Sequence, residues 1–369
     1  EFTSAGIKYE LAVTSTIKPL NIVKMAADRQ RPYIYALQAP SLSGQNGLLL
    51  FINTANGNID KALAIGLNPV DLAINYAEGK LYIASWQETW TYVVDLNTQK
   101  LLPSLNLGTD IYKINAGRAG RIITEGEDQW IGVNLANTVD GTIAGNFPYP
   151  EREGDGESEP TGTVYYHCDN NISDASIHKF ICTNDTPVEV AGSNQHPYGT
   201  RNLVLSPDGN RLFWNSYIFN TNLTELGTLG AEIYSCNING SVAFGSTQAF
   251  DTTTRQAIYN LPVSATVSVV DGQNQRFWYF NSANGTLGSL PMGIIQAPTI
   301  NQQPAANTAV IGGGSVYLTT TAMGLAPLTY QWTLSGTNLP GSTNYFLSIN
   351  NIQSPQQGGY QVIVGNAFG

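Results

Sequence analysis

Hydrophobic positions along the chain fall in short runs of β-branched and aromatic residues, each broken by a cluster of polar turn formers. Tyr33-Ile34-Tyr35 follows Arg29-Gln30-Arg31-Pro32, and Leu81-Tyr82-Ile83 follows Glu78-Gly79-Lys80. The same order returns at Ala119-Gly120-Arg121-Ile122-Ile123, Thr161-Gly162-Thr163-Val164-Tyr165, Pro207-Asp208-Gly209-Asn210-Arg211-Leu212-Phe213, and Asp271-Gly272-Gln273 through Phe277-Trp278-Tyr279. Such residues suit a pleated, half-buried surface, so each run is predicted as a strand entered from a tight turn.

The pattern also repeats at longer range. Phe51-Ile52-Asn53-Thr54 through Ala64-Ile65-Gly66 aligns with Val93-Val94-Asp95-Leu96 through Asn106-Leu107-Gly108 at an offset of 42 residues, hydrophobic position on hydrophobic position. Each copy reads as strand, turn (Asn56-Gly57 or Thr98-Gln99), strand and closing glycine. Turn-then-strand units every ~40–45 residues are what the four-stranded blades of a propeller produce.

Two stretches carry a family likeness. Ser206-Pro207-Asp208-Gly209-Asn210-Arg211-Leu212-Phe213 and Val94-Asp95-Leu96-Asn97-Thr98 resemble the YVTN-type propeller repeats of bacterial and archaeal surface proteins. That family carries a Ser-Pro-Asp-Gly turn, a Tyr-Val strand and an Asp-Thr hairpin. The resemblance spans residues 7 to 292 and is faint between 140 and 195. It implies seven blades, whereas six turn-and-strand anchors are counted; the long interval between Phe213 and Trp278 leaves seven open. Tyr9 to Thr16 alternate like a strand without a blade of their own, and the last blade, near 263 to 291, is one strand short. Pairing the two would close the ring and remove its exposed edges.

The composition shifts at Gln296-Ala297-Pro298-Thr299-Ile300. The segments Ser315-Val316-Tyr317-Leu318, Tyr330-Gln331-Trp332, Leu347-Ser348-Ile349 and Gly359-Tyr360-Gln361-Val362 that follow resemble bacterial immunoglobulin-like domains. By that likeness Trp332 takes the buried tryptophan position and Tyr360 the tyrosine corner. Leu318 and Val362 stand where a disulfide would be, and Gln356 where an acidic residue is usual. The final strand of such a sandwich is expected beyond Gly369. The expected fold is all-β: a six- or seven-bladed β-propeller over residues 1–296, six blades being counted, then an immunoglobulin-like β-sandwich over 297–369 lacking its last strand.

Composition narrows the function classes. Charged residues make up 12% of the chain, Lys plus Arg number 17, and the net charge is −10. Without a basic run there is no footprint for a phosphate backbone, and an anionic membrane surface is disfavoured for the same reason. No apolar run of about 18 residues is present to span a bilayer.

Candidate chemistry is sparse. Counting from the blade-closing glycines, Asp71 and Lys113 fall at matching positions, and Lys24 and Arg201 at nearby ones. Together they are expected to ring a channel mouth, where they hold a small anionic ligand or sugar, or simply pair with one another. Trp86 and Trp90 bracket a loop and either stack on a sugar face or cap a blade; Trp214 and Trp278 read as packing between blades. The acidic run Glu151 to Glu159 is expected as a solvated inter-blade loop. Its Asp155, Glu157 and Glu159 are the candidate Ca2+ ligands, although the spacing is not that of an EF-hand.

Cys168 and Cys182 lie on two strand-like runs joined by a polar segment, a spacing compatible with a disulfide or with two half-buried thiols. His167 and His178 flank them, but the order His-Cys, His, Cys matches no familiar zinc pattern. Neither a nucleophile elbow nor a Gly-rich phosphate loop is found. The expectation is a noncatalytic binding or presentation module of a larger secreted or cell-surface bacterial protein, adhesive in role and contacting glycan or protein. The alternative is a propeller hydrolase or lyase acting on a lactone, ester or polysaccharide, with the immunoglobulin-like unit as spacer. Partners expected are a glycan or surface protein and the rest of a longer polypeptide, with neither nucleic acid nor membrane insertion.

Overall fold

A computed structural model describes residues 2–4, 7–9, 20–40, 42, 44–127, 132–148, 154–170, 175–194, 196, 202–273, 275–291, 298–323 and 328–365. Among these residues, regular structure is β-strand apart from one short 3-10 turn at Ser354–Gln356. No helix in them is long and apolar enough to cross a membrane.

The strands between residues 22 and 291 form seven antiparallel sheets, six of four strands and one of three, each running in sequence order from an inner to an outer strand. The inner strands are Ile22–Ala27, Pro69–Asn75, Lys113–Ala116, Asp155–Ser158, Leu203–Leu205, Ser235–Cys236 and Val267–Asp271. Successive inner strands line one central channel. The fold is a β-propeller, and its seven sheets correct the count of six.

The overlooked blade is Ser235–Cys236, Val242–Phe244, Gln248–Asp251 and Ala257–Asn260. An Asx turn shows why it escaped. Asn53, Asp95, Asn137, Asn220, Asp251 and Asn281 each accept, through Oδ1, the amide of the residue two further on, at the turn after the third strand or, in the three-stranded blade, the second. The first three lie 42 residues apart, while the last three lie 31 and 30 apart. A search at one fixed period passes over blades that have shrunk to three-quarters of that length.

Seven hydrophobic clusters fill the seven spaces between neighbouring blades. Trp214 packs between the fourth and fifth blades. Trp278 and Phe280 of the seventh blade pack on Ile22, Met25, Ile34 and Leu50 of the first and close the ring. Both tryptophans are buried, as expected. Of Tyr9 to Thr16, Tyr9 pairs with Phe2 in a short hairpin, and the remainder lies outside the described residues.

Outer strands carry a register shift against the third strand in all six four-stranded blades. Such bulges twist an edge away from foreign pairing. At the Ser206 to Arg211 turn, the Ser206 hydroxyl donates to Asp208 and accepts the Arg211 amide, while Gly209 takes φ +75°, a value that a side chain resists.

Of the two alternatives for Cys168 and Cys182, the disulfide is not formed; both are buried thiols. Cys168 stands opposite Ile177, whereas Cys182 follows Ile181, which stands opposite Val164, so they occupy opposite ends of the hairpin. At about 3.3 Å per residue they are on the order of 15 Å apart along the strands, beyond any disulfide. Cys168 packs toward the fifth blade and Cys182 toward the third. Burial pushes the Cys182 thiol up to about 12.

Beyond residue 298, Val316–Thr319 pairs with Phe346–Ile349, and Thr329–Leu334 lies between Thr337–Asn338 and Tyr360–Gly365. The two sheets share one core around fully buried Trp332, with Val316, Leu318, Leu347, Tyr360 and Val362 packed about it. Trp332 Nε1 donates to the Asn344 carbonyl at 2.9 Å, and the Tyr360 hydroxyl to the Gln356 carbonyl at 2.7 Å. Leu318 and Val362 are both apolar members of this core.

The ring closure predicts a measurable asymmetry. Trp278→Ala should cost about 3–5 kcal/mol, whereas Leu226→Ala on an exposed outer strand should cost less than about 0.5 kcal/mol. Urea unfolding of both variants checks this.

Candidate functional site

The channel encloses a cavity of about 920 Å³ walled by all seven inner strands. Its Lys–Asp pairs come from the first four blades. Lys24 Nζ lies 3.2 Å from Asp71 Oδ1, and Lys113 Nζ 2.9 Å from Asp155 Oδ1. The ring therefore reads plus, minus, plus, minus over consecutive blades, and continues through the neutral Leu203, Ser235 and Ser268.

Local backbone geometry aims these groups. Val23 and Val70 are each one residue extra against the neighbouring strand, bulges placed just before Lys24 and Asp71. A bulge re-phases the strand and turns the next side chain. Asp155 and Glu157 share a strand face because one residue separates them. Gly156, between them, lies flat on Tyr165; a Cβ there would meet the Tyr165 hydroxyl at 2.0 Å.

The carboxylates also tie blade to blade. Asp71 Oδ2 accepts the Ile114 amide and Asp155 Oδ2 the Leu203 amide, both at 3.0 Å. Glu125 Oε1 accepts the Gly154 amide at 2.7 Å. Each acid thus satisfies a buried donor on the next blade, and Asp71 and Asp155 also neutralise a lysine, which is how buried charge becomes tolerable.

Burial pushes the Lys24 and Lys113 pKa values down, but the surrounding carboxylates, led by Asp71 for Lys24 and Asp155 for Lys113, more than reverse this, so both lie above the ordinary lysine value. Burial likewise pushes Asp155 up, and Lys113, Lys24 and the Leu203 amide outweigh it and hold the carboxyl low. Glu157 differs. Burial dominates there, and with Asp155 and Asp71 opposing the lysines its carboxyl is pushed up to about 8.

Lys24, Asp71 and Lys113 of the expected channel ring line one cavity, and Asp155 and Glu157 line it with them. Arg201 lies outside the described residues. Trp86 and Trp90 are exposed, at 37% and 47%. Trp86 meets Tyr112 edge-on at 6.4 Å, and Tyr112 lines the channel; Trp90 does not line it.

The expectation of a loop at the acidic run is corrected from Asp155 onward. Asp155–Ser158 is the inner strand of the fourth blade, and Glu159 continues along the channel wall. Glu151, Arg152 and Glu153 lie outside the described residues. Asp155, Glu157 and Glu159 do not assemble as Ca2+ ligands: among the described residues no group of three or more His, Cys, Asp or Glu is placed to hold a metal. Asp155 is instead engaged by Lys113 and the Leu203 amide.

A second polar network crosses the fourth blade. His167 Nε2 lies 3.2 Å from Glu125 Oε2, and His178 Nδ1 2.8 Å from Glu189 Oε1. Ser176 Oγ lies 3.0 Å from His178 Nε2, but that nitrogen and the hydroxyl both also face Asp169 Oδ2, at 3.4 and 3.3 Å. A carboxylate faces each ring nitrogen of His178, so both nitrogens donate only when the imidazole is protonated. The network's only sequence trace was the pair of histidines flanking the cysteine hairpin.

The fold and channel define a seven-sheet β-propeller protein with a charge-paired axis. Solved structures share that architecture. Hydrazine synthase of Kuenenia stuttgartiensis aligns with 10% identity and a TM-score of 0.60, over 77% of this chain and 99% of that one. The β-propeller domain of Cps50 (Swd1) from Myceliophteria thermophila aligns with 11% identity and a TM-score of 0.59, over 76% and 99%. Identities this low establish a shared fold alone. No protein-family model and no curated protein matches the sequence.

Two outcomes follow. Lys113→Met leaves Asp155 buried without its cation and should cost about 3 kcal/mol. Lys113→Met/Asp155→Asn, which keeps an acceptor for the Leu203 amide, should recover part of this in chemical denaturation. Separately, Glu157 has a folded-state pKa above its unfolded value, so its contribution is intact below about pH 4.5 and is lost as pH rises toward 8. Glu157→Gln should therefore match the wild type in stability near pH 4 and exceed it at pH 9, as read from thermal midpoints.

Proposed function

We propose that the chain is a noncatalytic binding and presentation module of a larger secreted or cell-surface bacterial protein, contacting a glycan or a protein through its propeller. In this reading residues 1–296 form the recognition unit. Residues 297–369 form an immunoglobulin-like spacer that joins it to the rest of a longer polypeptide. The YVTN-like turns at Ser206 to Phe213 and Val94 to Thr98 support a surface-protein setting.

The observation that carries the reading is the state of the channel charges. Lys24 is paired with Asp71 and Lys113 with Asp155, and each aspartate also holds an amide of the next blade. Groups committed in this way are poor nucleophiles and poor bases, because a proton taken up or lost breaks two interactions at once. They make a rigid, orienting wall. Exposed Trp86 beside Tyr112 supplies an apolar surface next to that wall, of the kind that packs on a sugar face.

A glycan array combined with a lactone and ester panel tests the proposal. Saturable binding to a glycan or protein surface without turnover is expected. Turnover of any panel member that a chelator abolishes would overturn it in favour of a propeller hydrolase or lyase.

A further inference from the structure

The inference concerns which ligand chemistry the channel accepts, and it rests on the binding-module reading above. Both channel lysines are already neutralised by an aspartate of the next blade. Arg29 donates to the Pro207 carbonyl at 2.8 Å. Glu232 accepts from Asn202 at 3.1 Å and from the Tyr234 hydroxyl at 3.2 Å. Glu157, on the inner strand, and Glu159, just past its end, also line the cavity. Neither side chain makes a hydrogen bond or an ion pair among the described residues. The unsatisfied capacity of the channel is thus acidic, while its cationic capacity is spent.

The rest of the lining decides between a metal ion and an organic cation. Val23, Val70, Val204, Leu205, Val267 and Val269 line the same cavity as the acids. A hard cation needs several oxygen ligands converging on one point, and no such group is assembled among the described residues. A cavity of about 920 Å³ lined by both carboxylates and aliphatic groups fits a ligand that is charged at one end and carbon-rich beyond it. We propose that the propeller channel is a receptor site for an organic primary ammonium group, matched in charge by the Glu157 carboxylate.

The electrostatics agree with this placement. Lys24, Asp71, Lys113 and Asp155 sum to no net charge around Glu157, and burial then keeps its carboxyl protonated up to about pH 8. An ammonium ion entering the channel restores the countercharge that burial removed, so binding expels the Glu157 proton. Below pH 8 each bound ligand releases one proton, and affinity climbs with pH. Glu159 adds attraction from the same cavity wall, and the chain's net charge of −10 draws cations toward the protein.

Two sources carry this chemistry, an amino sugar and a lysine side chain. Isothermal titration of the whole chain with glucosamine and with N-α-acetyl-lysine methylamide separates them, with N-acetylglucosamine and the doubly acetylated lysine amide as uncharged controls. At least one amine should bind, about tenfold more tightly at pH 7 than at pH 6 and with little further gain above pH 8, while its acetylated partner does not bind. Glu157→Gln should abolish that pH dependence without lowering the thermal midpoint. Equal binding of amine and acetylated control, no binding of either amine, or an unchanged pH dependence in Glu157→Gln would each overturn the inference. Glycan-array binding that survives Glu157→Gln together with any of these results would sink the ammonium site and leave the binding-module reading standing. Chelator-sensitive turnover would sink the module itself.

Discussion

Face-to-face packing of neighbouring blades is the constraint on which everything else in the propeller depends. Each four-stranded sheet is apolar on both faces, and neither face can be buried within its own blade. The seven clusters between blades are therefore one circular core, and the structure is stable only when the last space is filled. Trp278 and Phe280 fill it against the first blade. The ring can thus close through side-chain packing even where the seventh sheet has only three strands among the described residues.

Closing a ring of sheets leaves an axis where the inner strands converge, and backbone donors there meet the next blade rather than water. Asp71 and Asp155 answer both needs at once. Each accepts an amide across a blade boundary and pairs with a lysine on the blade before it. The polar lining is therefore structural before it is anything else. What structure leaves over, the unpaired face of Glu157 and Glu159, is where recognition has room to act.

The sequence made the blade architecture legible because the hydrophobic period of two and the turn residues recur together. Asn53, Asp95 and Asn137 keep a strict 42-residue spacing, and the first two blades were read from that spacing. Asn220, Asp251 and Asn281 keep the same Asx turn at a shorter spacing, so the chemistry of the turn was the better guide than its period. Lys24, Asp71 and Lys113 were found by their distance from the closing glycines. The strand at Asp155–Ser158 was not, because one face of an inner strand meets a polar channel and the other, at Gly156, has no side chain to show. Without alternation, an acidic inner strand has the composition of a solvated loop. The cysteine pairing failed for a different reason. Spacing places two residues on one hairpin, but only register says whether they face each other, and here it sets them at opposite ends.

The uneven blade lengths and the uneven channel share one geometry. The long early blades bring Lys24, Asp71, Lys113 and Asp155 to the axis, whereas the shortened sixth blade has an inner strand of only Ser235 and Cys236. A ring of seven equal charged blades would present the same surface in every direction and could not orient what it holds. Placing the two Lys–Asp pairs on the first four blades alone makes the axis asymmetric. An occupant with one charged end then has one preferred orientation, fixed by the fold before any ligand arrives.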